Sequence, residues 1–97
     1  MQRGIGDKSA IAVCLDAFAQ LARSDERHEQ AVVLRGAAHA LREAIGAPLA
    51  PLARAAHDQE VAALRQALGE EAFTRAWEKG RALTQEQAIE LAGKQSN

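Results

Sequence analysis

The chain has 97 residues, 47% hydrophobic and 26% charged, with a formal net charge of −1 at pH 7, so its length allows one domain and its charge argues against direct nucleic-acid binding. Aromatic residues make up only 3% of the chain and alanine is abundant, which favours helices over a β-sandwich or an aromatic-lined cofactor pocket. One cysteine excludes an internal disulfide and a thiolate zinc cluster, and no apolar run could cross a bilayer, so we expect a cytoplasmic protein with no membrane partner.

The first predicted helix lies between Ser9 and Arg23, where apolar residues recur every three or four positions and form one face. Asp7 or Ser9 could cap its start. The apolar face comprises Ile11, Cys14, Leu15, Phe18 and Ala22. The mixed-sign run at 23–27 then predicts a tight solvated turn without a functional role.

A second helix is predicted from His28 to Ile45 on the same spacing rule. Gly46 supplies a stop signal, and the stretch from Gly46 to Pro51 is the predicted internal linker. Because the first two helices are amphipathic and joined by a short turn, we expect them to pack antiparallel, with alanine at their contact.

Three further helices are predicted after the linker. The third opens with Pro51 and continues to Leu68, where Gly69 ends it. A short fourth helix starts at Glu70 and ends before Gly80.

The last predicted helix opens with a capping box formed by Thr84 and Gln87. It continues to Ala92, and residues 93–97 are predicted to be a frayed tail. The sequence therefore predicts an all-α fold of five helices.

The first two helices resemble one tetratricopeptide repeat, a helix-turn-helix unit with small residues at the helix crossing and proline at its exit. The residues that carry this resemblance are Leu15, Phe18, Ala19, Ala31, Ala38 and Pro48. Arg35 departs from the pattern, which usually has a bulky apolar residue there. Together with the chain length and the predicted helices, this resemblance leads us to expect a single helical domain over residues 1–97, with a repeat-like helix pair at 8–46 and about three capping helices at 51–93.

Three longer phrases resemble the C-terminal end of the tetratricopeptide-like helical region of large bacterial signal-transduction ATPases, including LuxR-type transcriptional regulators. They are GDKSAIAVCLDAFAQLA, EQAVVLRGAAHALREAIGAPLAP and LRQALGEEAFTRAWEKGRALTQEQAIELA. The resemblance implies an upstream nucleotide-binding module, a helical array that senses inducers or partner proteins, and a downstream DNA-binding helix-turn-helix. The chain contains no glycine-rich phosphate loop, so ATP binding is not carried over.

Few residues of the chain suggest chemistry. The histidines match no metal-binding spacing, so we interpret His28 and His39 as surface residues and His57 as half-buried with a structural hydrogen bond near Asp58. We interpret Cys14 as an inert core residue.

The adjacent carboxylates Glu70 and Glu71 point in different directions on a helix, so they stabilise a helix start and cannot form a catalytic pair. Phe73 and Trp77 are predicted to pack over the first two helices. We therefore expect no catalytic residue, no cofactor and no metal.

The resemblance and these exclusions lead to a non-enzymatic module for protein interaction or end-capping in a bacterial regulatory protein. By analogy with the repeats, its partner face is the side of the first helix that carries Val13, Asp16 and Gln20. We expect a protein partner or a homodimer that covers an exposed apolar edge. The alternative is a sensor for a small-molecule inducer, with an apolar pocket anchored by His57 or Arg35.

Overall fold

The computed structural model describes residues 5–46 and 51–95, with side chains described for residues 10–46 and 51–93. Within these ranges it contains five α-helices and no strand, which confirms the predicted all-α class. The helices are α1 (Ile5–Ser24), α2 (His28–Ile45), α3 (Pro51–Leu68), α4 (Glu70–Ala82) and α5 (Gln85–Gln95). None of these five is both long enough and apolar enough to span a membrane.

Helix boundaries agree with the prediction for α2 and α3 and differ for the other helices. Helix α1 begins at Ile5, so Asp7 and Ser9 lie inside it and the predicted caps are wrong. Helix α5 continues to Gln95, so most of the expected frayed tail is helical. Of the predicted linker, residues 47–50 lie outside the described part of the chain.

Helices α1 and α2 form an antiparallel hairpin with a core of small aliphatic side chains. Its turn places Glu26 at a φ of 63°, and the Arg27 N–H donates to the Ala22 carbonyl oxygen at 2.8 Å. Because alanine occupies most contact positions, the two helix axes can approach closely. Helix α5 contributes Ala88 and Ala92 to the same core, whose buried members are Ala12, Leu15, Ala19, Leu34, Ala37, Ala38, Ala88 and Ala92.

Helices α2 and α4 cross with their backbones in contact, and two glycines permit this. A Cβ built on Gly36 would lie 2.6 Å from the Trp77 carbonyl oxygen, and one built on Gly80 would collide with the Val33 carbonyl oxygen. Helix α4 continues through Gly80 to Ala82, so the prediction that it ends before Gly80 is wrong. Gly80 is buried because the backbone of α2 packs directly against it, and this contact leaves no room for a larger residue.

The aromatic residues of α4 lie at a second core, as expected. Phe73 is buried, and its ring stacks against that of Trp77 with centroids 5.9 Å apart. Helix α3 reaches this core through Leu64, its one fully buried side chain in the described part of the chain. The buried members of this core are Ala22, Ala31, Val32, Val33, Leu64, Phe73 and Ala76.

The predicted stop and start signals around α4 and α5 are confirmed. Gly69, between α3 and α4, has a φ of 90°, a backbone conformation that glycine adopts without steric cost. The Thr84 N–H donates to Gln87 Oε1 at 2.9 Å, and the Gln87 N–H donates back to Thr84 Oγ1 at 3.1 Å. This reciprocal pair is the capping box that the sequence predicts.

Candidate interaction surface

Among residues 10–24 of α1, whose side chains the structure describes, the side that faces away from α2 is exposed and carries no charge. We call it the outer face of α1. It contains the large aliphatic residues Val13 and Leu21, which are 59% and 57% exposed. A solvent-facing helix surface is normally rich in charged residues, and the cores of protein interfaces are depleted of them. The exposed residues of the outer face are Ala10, Val13, Cys14, Ala17, Gln20, Leu21 and Ser24.

The three residues predicted for the partner face do not share one environment. Val13 and Gln20 are exposed on the outer face. Asp16 lies on the flank of α1 and is partly buried, and its carboxylate faces arginines of α2. The structure therefore separates Asp16 from the other two residues.

Asp16 belongs to a network of charges that joins α1, α2 and α3. The Nη1 and Nη2 atoms of Arg35 donate to Asp16 at 3.3 Å and to Glu60 at 2.8 Å. The second oxygen of Asp16 lies 2.7 Å from Arg42, and the second oxygen of Glu60 accepts from Arg23 at 3.3 Å. Each carboxylate thus bridges two arginines and ties together elements that are distant in sequence.

Arg35 is the most unusual member of this network because it is only 6% exposed. A buried guanidinium is costly without carboxylate partners, and Asp16 and Glu60 supply them from the flanking helices. Its Nε is also buried and has no hydrogen-bond partner. The structure explains the departure from the repeat pattern, since Arg35 fastens α3 to the hairpin in place of an apolar contact.

His57 lies beside this network on α3. Burial and the positive charge of Arg35 lower its pKa, while the negative charges of Asp16 and Asp58 partly oppose the shift. Its Nδ1 is 3.7 Å from Asp58 Oδ1, longer than the hydrogen bond expected from the sequence. The half-buried position predicted for His57 is confirmed.

The remaining candidate residues are dispersed. The prediction that Cys14 packs in the core is wrong, because its thiol lies on the outer face of α1. His39 contacts the ring of Trp77, with centroids 5.4 Å apart, and lies 3.5 Å from Glu43. Glu70 and Glu71 are both exposed in the first turn of α4. Among the described residues, no group of three or more His, Cys, Asp or Glu side chains is placed to hold a metal ion.

A groove of about 320 Å³ lies between α2, α4 and α5. Its lining combines aliphatic side chains with two carboxylates, one ammonium group and two amides. Neither Arg35 nor His57, the anchors expected for an inducer pocket, is part of it. The lining residues are Glu29, Gln30, Val33, Lys79, Leu83, Gln87, Glu90 and Leu91.

Sequence reasoning did not single out Arg42 or Glu60, which complete the charge network. The sequence does contain a signal for Arg42, because Arg35 and Arg42 are seven residues apart and therefore share one face of α2. No comparable pattern points to Glu60, since its pairing depends on how α3 packs against the hairpin.

Comparison with known proteins relates the chain to transcriptional regulators. It is 38% identical over 78 residues to a protein of Mycobacterium bovis and to proteins of two Mycobacterium tuberculosis strains. All three carry the provisional name HTH-type transcriptional regulator. The aligned segment is 80% of this chain but only 9% of each relative. No protein-family profile matches the chain, and no solved structure matches it.

Proposed function

We propose that this chain is a non-enzymatic helical segment of a transcriptional regulator that binds protein through the outer face of α1. The observation that carries this proposal is the absence of charge from seven exposed positions, Ala10, Val13, Cys14, Ala17, Gln20, Leu21 and Ser24. Burying Val13 and Leu21 against a partner would contribute apolar free energy without the cost of desolvating a charge.

The related regulators support the regulatory part of the proposal. Since the chain spans about a tenth of their length, it corresponds to one small segment of each of these longer proteins. A small helical segment of this kind fits an interaction or end-capping role, as in the C-terminal tetratricopeptide-like region that the sequence resembles. We propose that it works in the cytoplasm, with the partner a protein and not DNA.

The arrangement of charged groups supports a role without catalysis. Arg35 pairs with both Asp16 and Glu60 across the helices, so these groups serve to fix α3 to the hairpin. An acid–base pair would instead need carboxyl groups directed at a common substrate atom.

The test is a transcript comparison in the source organism. A strain that lacks the gene is complemented with wild type, with Val13→Glu/Leu21→Glu, or with the control Thr74→Glu on the exposed side of α4. We expect wild type and the control to restore the same transcripts and the outer-face variant to fail, although all three fold alike by circular dichroism. Equal restoration by the outer-face variant would refute the docking role, and no transcript change on deletion would refute the regulatory role.

The groove favours a second candidate function, the sensing of a small molecule. Its volume of about 320 Å³ lies at the lower end of small-molecule sites. Val33, Leu83 and Leu91 offer an apolar surface, and the charges of Glu90 and Lys79 complement a zwitterion with an aliphatic body.

Leucyl-leucine is a suitable probe for this candidate. Chemical-shift changes confined to amides around the groove, and lost in Glu90→Gln/Lys79→Gln, would support it. Unchanged spectra at millimolar dipeptide would count against it.

A further inference from the structure

The outer face of α1 is arranged symmetrically about one small residue. Ala17 lies at its centre, and Val13 and Leu21 lie four positions before and after it. Residues four apart are neighbours along one side of a helix. A two-fold rotation about an axis through Ala17, perpendicular to the helix, therefore brings the position of Val13 onto that of Leu21.

We propose that the outer face of α1 binds the same face of a second copy of the chain, as an antiparallel helix pair with its two-fold axis at Ala17. The proposal rests on the docking role proposed above and names its partner. In this register Val13 packs against Leu21 of the partner subunit, and the same contact repeats across the axis. An isologous interface requires this kind of self-complementary surface.

The small residue on the axis and the missing charges favour a second copy as the occupant. Alanine at the point of closest approach allows the two helix axes to lie about 10 Å apart. Since the seven described residues of the outer face are uncharged, two identical faces meet there without like-charge repulsion. By contrast, exposed Ile89 on α5 has Glu86 and Glu90 one turn or less away, so self-pairing there would bring carboxylates together.

The dimensions of α1 set the expected strength of the dimer. Its 20 residues span about 30 Å. One helix face of this length buries less than the roughly 800 Å² per partner of a standard interface. We therefore expect a dimer that forms at micromolar or higher concentration and dissociates on dilution.

Cysteine cross-linking tests the position of the axis. In this register the Cys14 thiols of the two copies are about six residues, or 9 Å, apart along the helices, too far for a disulfide. In a Cys14→Ser background, Ala17→Cys places two thiols on the axis, while Thr74→Cys on α4 is the matched exposed control. Oxidised glutathione accepts the two electrons and two protons released when each disulfide forms.

We expect Ala17→Cys to form covalent dimer about tenfold faster than Thr74→Cys, because association raises the local thiol concentration. Wild type should form little disulfide-linked dimer under the same conditions. Equal rates for the two variants would overturn the proposed interface. Faster cross-linking of wild type than of Ala17→Cys would overturn the register.

A charge-pair experiment tests the antiparallel direction. Val13→Lys or Leu21→Glu alone should weaken self-association about tenfold, because each places an unpaired charge against an aliphatic side chain. The double variant should recover it, since each lysine then faces the glutamate of the partner subunit. These residues are outside the core, so circular dichroism should stay unchanged. A double variant weaker than both single variants would refute the antiparallel pairing.

The two proposals can fail separately. Light scattering across a dilution series that shows only monomer, together with equal cross-linking rates, would refute the second copy as partner. If Val13→Glu/Leu21→Glu still abolished transcript restoration, the docking role would stand with another protein on the same face. If it restored transcripts fully while the dimer was lost, the dimer would be real but the docking role would be refuted.

Discussion

The close contact between α2 and α4 predicts that the same substitution, glycine to alanine, has opposite effects on stability at different glycines of the chain. Glycine to alanine within a helix ordinarily stabilises a protein by about 0.5–1 kcal/mol. At Gly36 the new Cβ would lie 2.6 Å from the Trp77 carbonyl oxygen, closer than Cβ atoms essentially ever come to a neighbour. Because the obstacle is backbone, it cannot rotate away, and the two helices must separate.

Overpacking of this kind costs about 1–3 kcal/mol and sometimes more. After subtracting the gain in helix propensity, we expect Gly36→Ala to lower the free energy of unfolding by about 1–2 kcal/mol. Gly80→Ala should lower it by more, since its Cβ would come still closer to the Val33 carbonyl oxygen. Gly93→Ala meets nothing within 4 Å and should raise it by about 0.5 kcal/mol.

Urea unfolding followed by circular dichroism measures all three variants. A loss of 1 kcal/mol corresponds to a fall in Tm of about 4–8 °C for a chain of this size. The opposite signs at Gly36 and Gly93 are the important result, because both variants gain the same methyl group. If Gly36→Ala and Gly80→Ala were as stable as Gly93→Ala, the backbone contact between α2 and α4 would be disproved.

Three further predictions concern the charge network, His57 and the capping box. Arg35→Met should lower the free energy of unfolding, measured in urea, by about 2–3 kcal/mol. This loss is smaller than the loss from breaking an isolated buried ion pair, because Asp16 and Glu60 each keep a second arginine. An unchanged free energy of unfolding would show that the network is not stabilising. The folded-state pKa of His57 lies below 6.5, so the unfolded chain binds more protons and stability should fall as pH drops through 6.5. His57→Gln should reduce the stability difference between about pH 7.5 and pH 5.5, and an identical difference would contradict this origin. Thr84→Ala should cost about 1 kcal/mol through loss of its cap, whereas Thr74→Ala should cost little, and equal effects would rule out the capping role.

The sequence predicted the helices well because their signals are local. Pro51 opens α3, Gly69 separates it from α4, and the Thr84–Gln87 pair caps α5. Each signal depends on backbone geometry within one turn of helix. Gly80 shows the limit of this reasoning, because a glycine that ends a helix and one that lets two helices touch look alike in sequence.

The buried side of α1 was harder to predict because the helix is apolar almost all round. The expected face included Cys14, but the structure buries Ala12 and Ala19 and turns Cys14 outward. Close packing against α2 selects the smallest side chains for the contact, whereas a hydrophobic pattern favours the larger ones. The candidate interaction surface therefore became visible only once the packing of α1 was known.

The charged side chains of α1 point toward the neighbouring helices, and this orientation supports a docking role for its outer face. Among its described side chains, only Asp16 and Arg23 are charged, and both pair with other helices. An ordinary amphipathic helix does the reverse, since its charged residues face water and its apolar residues face the protein. In α1 the ionic contacts point toward the neighbouring helices, while Val13 and Leu21 remain exposed. Because more than half of the surface of each of these two aliphatic side chains is exposed, burial against a partner is a contribution that they are placed to make.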